Sequence, residues 1–433
     1  MAKHDDSFDN ESPYKVYNRR YLILILYCPL MILTSFQLLE YTSITNVIAK
    51  YYNVNAVAVY WTNILQNLCT VLFSPIIGKL IEKFGFRKSM IWSTFLVAFG
   101  AAIKCCAINR NMFWLLMMGQ FFPCFLCTPI YSLSSILGAL WFKPTEIAAV
   151  ISLCNSSSIL GMAITFLLPL VFKSDSINET KFKLFSVSLL IMVSQAVIFL
   201  LTLLLVAEKP PTSPCRAEET RNKCETPKVA DLLRNKNFVI LIICSATSAA
   251  STQIVSISLN QSILSEFSNG RVVLSTAGVL FLVSGIPGSL LVGVISKIYP
   301  KYKILLIITC VFSATSEVLY IVSLWLKSVW LLYLSLIMFG IFANASFVLA
   351  LDFIFEVSFP FPENLSVTIS FAAYSLPDLI LVPCVTILSE NFGVVYANFV
   401  FILLGMLSLI LAQFVSEDLR RRKANEMTPL FLN

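Results

Sequence analysis

Apolar residues recur along this chain in blocks of about twenty, with polar residues concentrated in the short stretches between them. A helix needs roughly that many residues to cross the hydrocarbon of a bilayer. Twelve blocks are legible, beginning near Tyr21, Val57, Ser89, Met112, Glu146, Phe182, Phe238, Val272, Ile304, Trp330, Leu365 and Val394. One connector is long. From about Ala207 to Lys236 the chain carries Glu208-Lys209-Pro210-Pro211 and then mixed charge without an apolar period, which reads as a solvated linker. The pattern predicts an all-α polytopic membrane protein with 12 transmembrane helices in two six-helix repeats. The expected divisions are a tail over 1–20, a bundle over 21–206, the linker over 207–236, a second bundle over 237–415 and a tail over 416–433.

Composition agrees with lipid as the solvent: 58% of residues are hydrophobic, 13% are charged and the mean hydropathy is +0.82. A soluble chain of this length needs far more polar surface to cover its core. The first twenty residues are polar and the first block is long, so a cleavable signal peptide is not expected.

Charge sets the expected orientation. Of the 31 Lys and Arg, 23 fall in the segments that share a side with both tails. The positive-inside rule then places both termini in the cytosol. The same asymmetry accounts for the net charge of +7 without a nucleic-acid partner. The plasma membrane is the expected location, an endolysosomal or other organelle membrane the alternative, and a monomer the expected state.

Most of the twelve cysteines, among them Cys28, Cys69, Cys154, Cys244, Cys310 and Cys384, sit inside apolar blocks, where a thiol packs as a small hydrophobe. Cys124 and Cys127 form a C-x-x-C in the fourth block with no second pair or histidine to complete a metal site. The single histidine is His4 in the tail, which excludes a histidine proton relay within the membrane. No nucleophile–base or metal constellation marks an enzyme, no phosphate-binding loop marks an ATP-driven pump, and no cofactor is expected.

The most specific local motif follows the second block: Gly78-Lys79-Leu80-Ile81-Glu82-Lys83-Phe84-Gly85-Phe86-Arg87-Lys88. It resembles the G-x-L-x-D-R-x-G-x-R-R loop of the major facilitator superfamily, with Glu82 in place of the aspartate. Gly78 is expected to permit a close helix contact and Gly85 a sharp turn. Glu82 with Arg87 and Lys88 is expected to form a charge network that locks one conformation. Six blocks later Gly293-Val294-Ile295-Ser296-Lys297-Ile298-Tyr299-Pro300-Lys301 occupies the matching place without the acid, a degenerate echo of the repeat.

Further stretches narrow the resemblance: Tyr14–Arg20, Phe36-Gln37-Leu38-Leu39-Glu40-Tyr41, Gly119-Gln120, Leu140–Glu146, Leu160–Ala163, Phe166–Pro169 and Glu356–Glu363. Together they resemble the feline leukaemia virus subgroup C receptor-related transporters. The resemblance implies the major facilitator fold and a small-molecule substrate: choline or ethanolamine, heme for some members, or a vitamin B6 compound. It also implies a pocket in which choline-carrying members have Phe-Gln-Trp where this chain has Phe36-Gln37-Leu38, and a glutamine where it has Cys127. The substrate class expected is a choline- or ethanolamine-like organic cation. Heme export, vitamin transport and a non-transporting receptor of this fold stand as alternatives.

Candidate cavity residues are Gln37, Leu38, Tyr41, Gln120, Cys127, Asn155, Asn260 and Tyr374. The amides among them read equally as glue between helices. Glu317 and Asp378 lie near mid-depth and are candidates for ion coupling, because a buried carboxylate in lipid is costly. Glu40 and Lys104 fall toward the outer ends of their blocks, as an ion pair or with Lys104 reaching the interface. Of the glycosylation sequons, Asn178 is the well-placed one, in the expected outer loop after the fifth block. The mechanism expected is alternating access, with Pro75, Pro129 and Pro287, the last near Gly285 and Gly288, bending the gating helices.

Overall fold

The computed structural model describes residues 17–142, 146–172, 176–209, 232–267, 269–299, 301–358 and 363–420. Twelve long helices follow the twelve apolar blocks. The first six span Arg19–Leu39, Ala56–Phe84, Phe86–Cys106, Phe113–Trp141, Ile147–Thr165 and Ile177–Leu205. The last six span Lys236–Glu266, Gly270–Ile298, Tyr302–Trp325, Val329–Ser358, Glu363–Phe392 and Val394–Phe414. Eleven of them are long and apolar enough to cross a membrane, and the twelfth contributes the shorter apolar helix Asn398–Phe414.

Local chemistry sets the helix ends. Asn55 caps the second span by accepting the Ala58 N–H at 3.1 Å, and Asn235 caps the seventh by accepting from Asn237 at 3.1 Å. Gly85 separates the second span from the third at φ +80°, a left-handed conformation open to a residue without Cβ. The side chain of Asn53 tolerates φ +56° where the short helix Thr45–Tyr52 ends. That helix and a 3-10 turn at Thr42–Ile44 join the first span to the second.

The even number of spans puts Arg19, Leu205, Lys236 and Phe414 on one face of the bundle, called here the terminal face. Spans one to six pack on one another, chiefly first on fifth, third on fourth and third on sixth. Spans seven to twelve do the same, chiefly eighth on tenth, ninth on tenth and seventh on twelfth. Two apolar clusters, around Tyr27 and Met90 and around Phe353 and Ile354, lie one within each half. A third crosses the seam: Tyr60, Ile64, Ile159 and Phe166 of the first half pack with Ile254, Ala277 and Phe281 of the second.

Large apolar side chains turn outward, among them Phe182 and Leu204, as surface facing lipid requires. Exposed aromatics mark the two ends: Tyr21, Trp92 and Tyr299 toward the terminal face, Trp114, Trp325 and Trp330 toward the other. Amphipathic rings favour the two membrane–water boundaries.

Candidate functional site

The most densely bonded polar group lies within the first half. Lys104 Nζ of the third span donates to Glu40 Oε1 at 2.6 Å and to Gln37 Oε1 at 3.0 Å, both on or next to the first span. Gln120 Nε2 of the fourth span donates to the Gln37 carbonyl at 2.7 Å and the Thr62 carbonyl at 3.2 Å. The Tyr41 ring lies 5.5 Å from Lys104 Nζ. Lys104 reaches its partners because the third and fourth helices approach closely at Gly100 and Gly119: a Cβ at Gly119 would come within 2.8 Å of Lys104 Cγ and 2.9 Å of the Gly100 carbonyl. Glu40 and Lys104 therefore form a buried ion pair, with the lysine held inside rather than reaching toward the interface.

Leu38 and Cys127 meet in a separate, apolar patch with Cys69 and Cys124, flanked by Leu65, Phe121 and Tyr131. The Cys124 thiol donates to the Thr62 carbonyl at 3.4 Å. Among the described residues no group of three His, Cys, Asp or Glu is arranged to hold a metal ion.

A third set of polar groups crosses between the halves. Gln253 Nε2 of the seventh span donates to Asn63 Oδ1 of the second at 3.1 Å, and Asn63 in turn donates to the Leu38 carbonyl at 3.2 Å. One turn along the second span, Asn67 Nδ2 donates to Asp378 Oδ2 of the eleventh at 3.2 Å. Asn260 donates to the Ser43 carbonyl at 2.7 Å, tying the seventh span to the turn after the first. These hydrogen bonds between the halves lie between the face opposite the termini and mid-depth. On the terminal side of Asp378 a ring contact crosses the seam: Tyr131 of the fourth span lies 6.1 Å from Phe371 of the eleventh.

Asp378 is 6% exposed, and its Oδ1 has no hydrogen-bond partner. Tyr374, one helical turn earlier, sits between Phe347 at 5.6 Å and Phe371 at 5.9 Å. Glu317 behaves differently. It accepts from Ser251 Oγ at 2.5 Å, lies against Gly405, and is enclosed by the seventh, ninth and twelfth spans of its own half.

At the terminal face Gly85 makes the expected turn. Arg87 donates its backbone N–H to Glu208 Oε2 at 3.2 Å and its guanidinium to the Leu203 carbonyl at 3.4 Å. A side chain at Gly85 would collide with the Glu208 carboxylate. Gly78 does not fulfil its expectation: a Cβ there would meet open space, so it makes no close helix contact in this conformation. The same is true of Gly293, whereas Gly285 and Gly288 pack against Asn344 and Ile341 of the tenth span. Lys88 is exposed. The side chains of Glu82, Pro75 and Lys297, and residues 14–16, 143–145, 300 and 359–362, lie outside the described residues.

The eight candidate cavity residues therefore divide among several places. Gln37, Tyr41 and Gln120 join the ion-pair network, Leu38 and Cys127 the thiol patch, Asn260 the cross-half bonds and Tyr374 the ring cluster. Asn155 is half-buried on the fifth span, and no described hydrogen bond ties it to the others. Asn178 is exposed in the first turn of the sixth span rather than in a loop. Sequence reasoning passed over Asn63, Asn67 and Gln253, although the cost of burying an amide in lipid, which picked out Gln37, applies equally to them. Glu208 carried no signal, since nothing in a mixed-charge linker singles out one acid.

Three comparisons with known proteins bear on this arrangement. Residues 25–358 match the family model of the Major Facilitator Superfamily. The chain is similar to the choline/ethanolamine transporter flvcr2a of Danio rerio, 27% identical over 428 residues that cover 96% of this chain and 90% of that one. It is also similar to the choline/ethanolamine transporter FLVCR2 of Homo sapiens, 25% identical over 96% of this chain and 81% of the relative. Among solved structures, a D-xylose–proton symporter superposes with a TM-score of 0.70 at 12% identity, covering 92% of this chain and 98% of the other. The fucose transporter FucP in its outward conformation superposes at 0.62 and 14% identity, covering 92% and 100%. Twelve helices in the expected order, a seam between the first six and the last six, and a family match over more than half its length lead to one conclusion: this chain belongs to the major facilitator superfamily.

Proposed function

We propose that this chain carries a small organic cation of the choline and ethanolamine class across the membrane by alternating access. The relatives' names supply the substrate class. The observation that carries the reading is the row of three amides, two of them buried and Gln253 half-buried, and one buried carboxylate along the seam, Gln253–Asn63 and Asn67–Asp378. Such groups are expensive to keep within a bilayer unless they serve a substrate or a moving contact. The amide–amide bond contributes about 1 kcal/mol and the amide–carboxylate bond about 1.5–3 kcal/mol, strong enough to bias one state and weak enough to break in a cycle.

With both termini in the cytosol, the face sealed by Asn260 and Ser43 is the outer one, and the conformation is closed to the outside. The halves then rock about the seam, and the Gly85–Arg87–Glu208 contacts fasten the second-to-third turn to the start of the linker on the cytosolic side.

The test is uptake of radiolabelled choline and of ethanolamine by the purified protein in liposomes. Saturable uptake of either, inhibited by the other, is expected. Uptake equal to that of empty liposomes for both substrates, from protein that is monodisperse and thermally cooperative, overturns the assignment.

A further inference from the structure

Resting on the organic-cation reading above, we infer that Asp378 and the ring cluster of Tyr374, Phe371 and Phe347 hold the substrate's ammonium group, and that this site favours a protonated primary amine over a quaternary one.

Asp378 is the carboxylate placed on the seam. Its Oδ2 accepts one hydrogen bond from the opposite half, from Asn67, while its Oδ1 is buried and accepts none. A carboxylate with a vacant acceptor in a medium of low dielectric takes up either a proton or a positive partner, and an ammonium supplies both the charge and the N–H. The buried cation nearest in kind, Lys104, is already committed to Glu40. Among the described residues Glu317 is the second buried carboxylate with a vacant oxygen; it is enclosed within the second half and touches no residue of the first in any described hydrogen bond.

What surrounds Asp378 suits an ammonium. Tyr374 stands one turn before it on the eleventh helix, on the same face by helical spacing. Its ring packs with Phe347 and Phe371, and Tyr131 brings a further ring to Phe371 from the first half. Ring faces attract cations. The Tyr374 hydroxyl is buried, with the Ser245 and Ser370 hydroxyls close to it. Pro377 lies inside the helix and has no N–H, so the Ala373 carbonyl loses its helical donor. Acceptors therefore outnumber donors beside the rings. A protonated primary amine brings three N–H groups to that surplus. A quaternary ammonium brings charge and methyl groups, which rings accept but an acceptor oxygen cannot hydrogen-bond.

The cation at Oδ1 and Asn67 at Oδ2 then share one carboxylate, so the substrate sits beside a hydrogen bond that joins the two halves.

The experiment is inhibition of radiolabelled ethanolamine uptake in proteoliposomes by ethanolamine, N-methylethanolamine, N,N-dimethylethanolamine and choline. In the unaltered protein competition weakens stepwise as N–H groups are replaced by methyls, and choline competes at least about tenfold less well than ethanolamine, the factor expected for a lost charged hydrogen bond. Asp378→Asn weakens ethanolamine and brings its ratio to choline close to one, and Asp378→Glu retains the preference. Choline competing as well as ethanolamine in the unaltered protein overturns the inference without any variant, so a variant that fails to fold leaves the decision intact. An Asp378→Asn protein that keeps the preference overturns it as well. Absence of uptake for every member of the series is distinguishable from both, since it overturns the organic-cation reading and this inference with it.

Discussion

Lys104 donates to Glu40 at 2.6 Å while both side chains are almost wholly enclosed, at 3% and 4% exposure. Removing one partner of such a pair leaves a buried charge alone and costs about 3–5 kcal/mol, whereas replacing both by apolar groups is often tolerated. Lys104→Met and Glu40→Gln are each expected to lower the unfolding temperature in detergent markedly. The double substitution Lys104→Met with Glu40→Met is expected to recover most of the loss. Equal damage from the double and single variants, read by thermal denaturation, would remove the pair's structural role.

Arg87 and Glu208 supply a second prediction. The Glu208 carboxylate accepts the Arg87 N–H at the start of the third helix, where an acid complements the helix dipole. Glu208→Ala is expected to cost about 0.5–2 kcal/mol, in the range of a lost N-terminal cap. Gly85→Ala is expected to cost more, because its φ is +80° and the added methyl meets the carboxylate. Arg87→Ala is expected to slow transport while leaving equilibrium substrate binding in place. Parallel loss of uptake and binding would show that Arg87 serves the pocket instead of the moving turn.

The seam yields a third. Asn260 holds the Ser43 carbonyl at 2.7 Å across the halves at the end opposite the termini, the outer end in the proposed orientation. Asn260→Ala is expected to shift the protein toward the state open to the outside, by roughly the 1 kcal/mol of one hydrogen bond, or about fivefold in population. Labelling of a single thiol placed near Ser43, from the outside and in a background with the reactive cysteines replaced, reads that shift directly. An unchanged labelling rate would mean that the bond is not part of the moving contact.

Asn178 tests orientation. Its side chain is exposed in the first turn of the sixth span. With the termini in the cytosol that turn faces outward, so protein made in animal cells is expected to carry a glycan that a glycosidase removes and Asn178→Gln abolishes. A mobility unaffected by either treatment would contradict the outward placement.

Different parts of the molecule were legible in the sequence to different degrees, and for physical reasons. The spans declare themselves because lipid imposes one length on every helix that crosses it. Gly85 was readable because a left-handed turn between two helices calls for glycine. Lys104 and Glu40 were readable as one of two outcomes, since each is too costly to bury alone. Asn67 and Asp378 are 311 positions apart, and no local pattern joins them. Their meeting depends on how two six-helix units face each other. Gly78 misled for a related reason: a small residue allows a close approach but does not require one, and in this conformation nothing approaches it. The candidate cavity residues were each chosen for chemistry, and chemistry alone gave no way to tell which of them share a wall.

The account stands most directly on one measurement: uptake before and after a reversible cross-link between Ser43→Cys and Asn260→Cys, the pair that joins the halves at the end opposite the termini. With the disulfide formed, ethanolamine and choline uptake into proteoliposomes is expected to fall to the level of empty vesicles and to return on reduction. Uptake that continues undiminished with the bond intact would contradict the claim that the two halves must part there for substrate to cross.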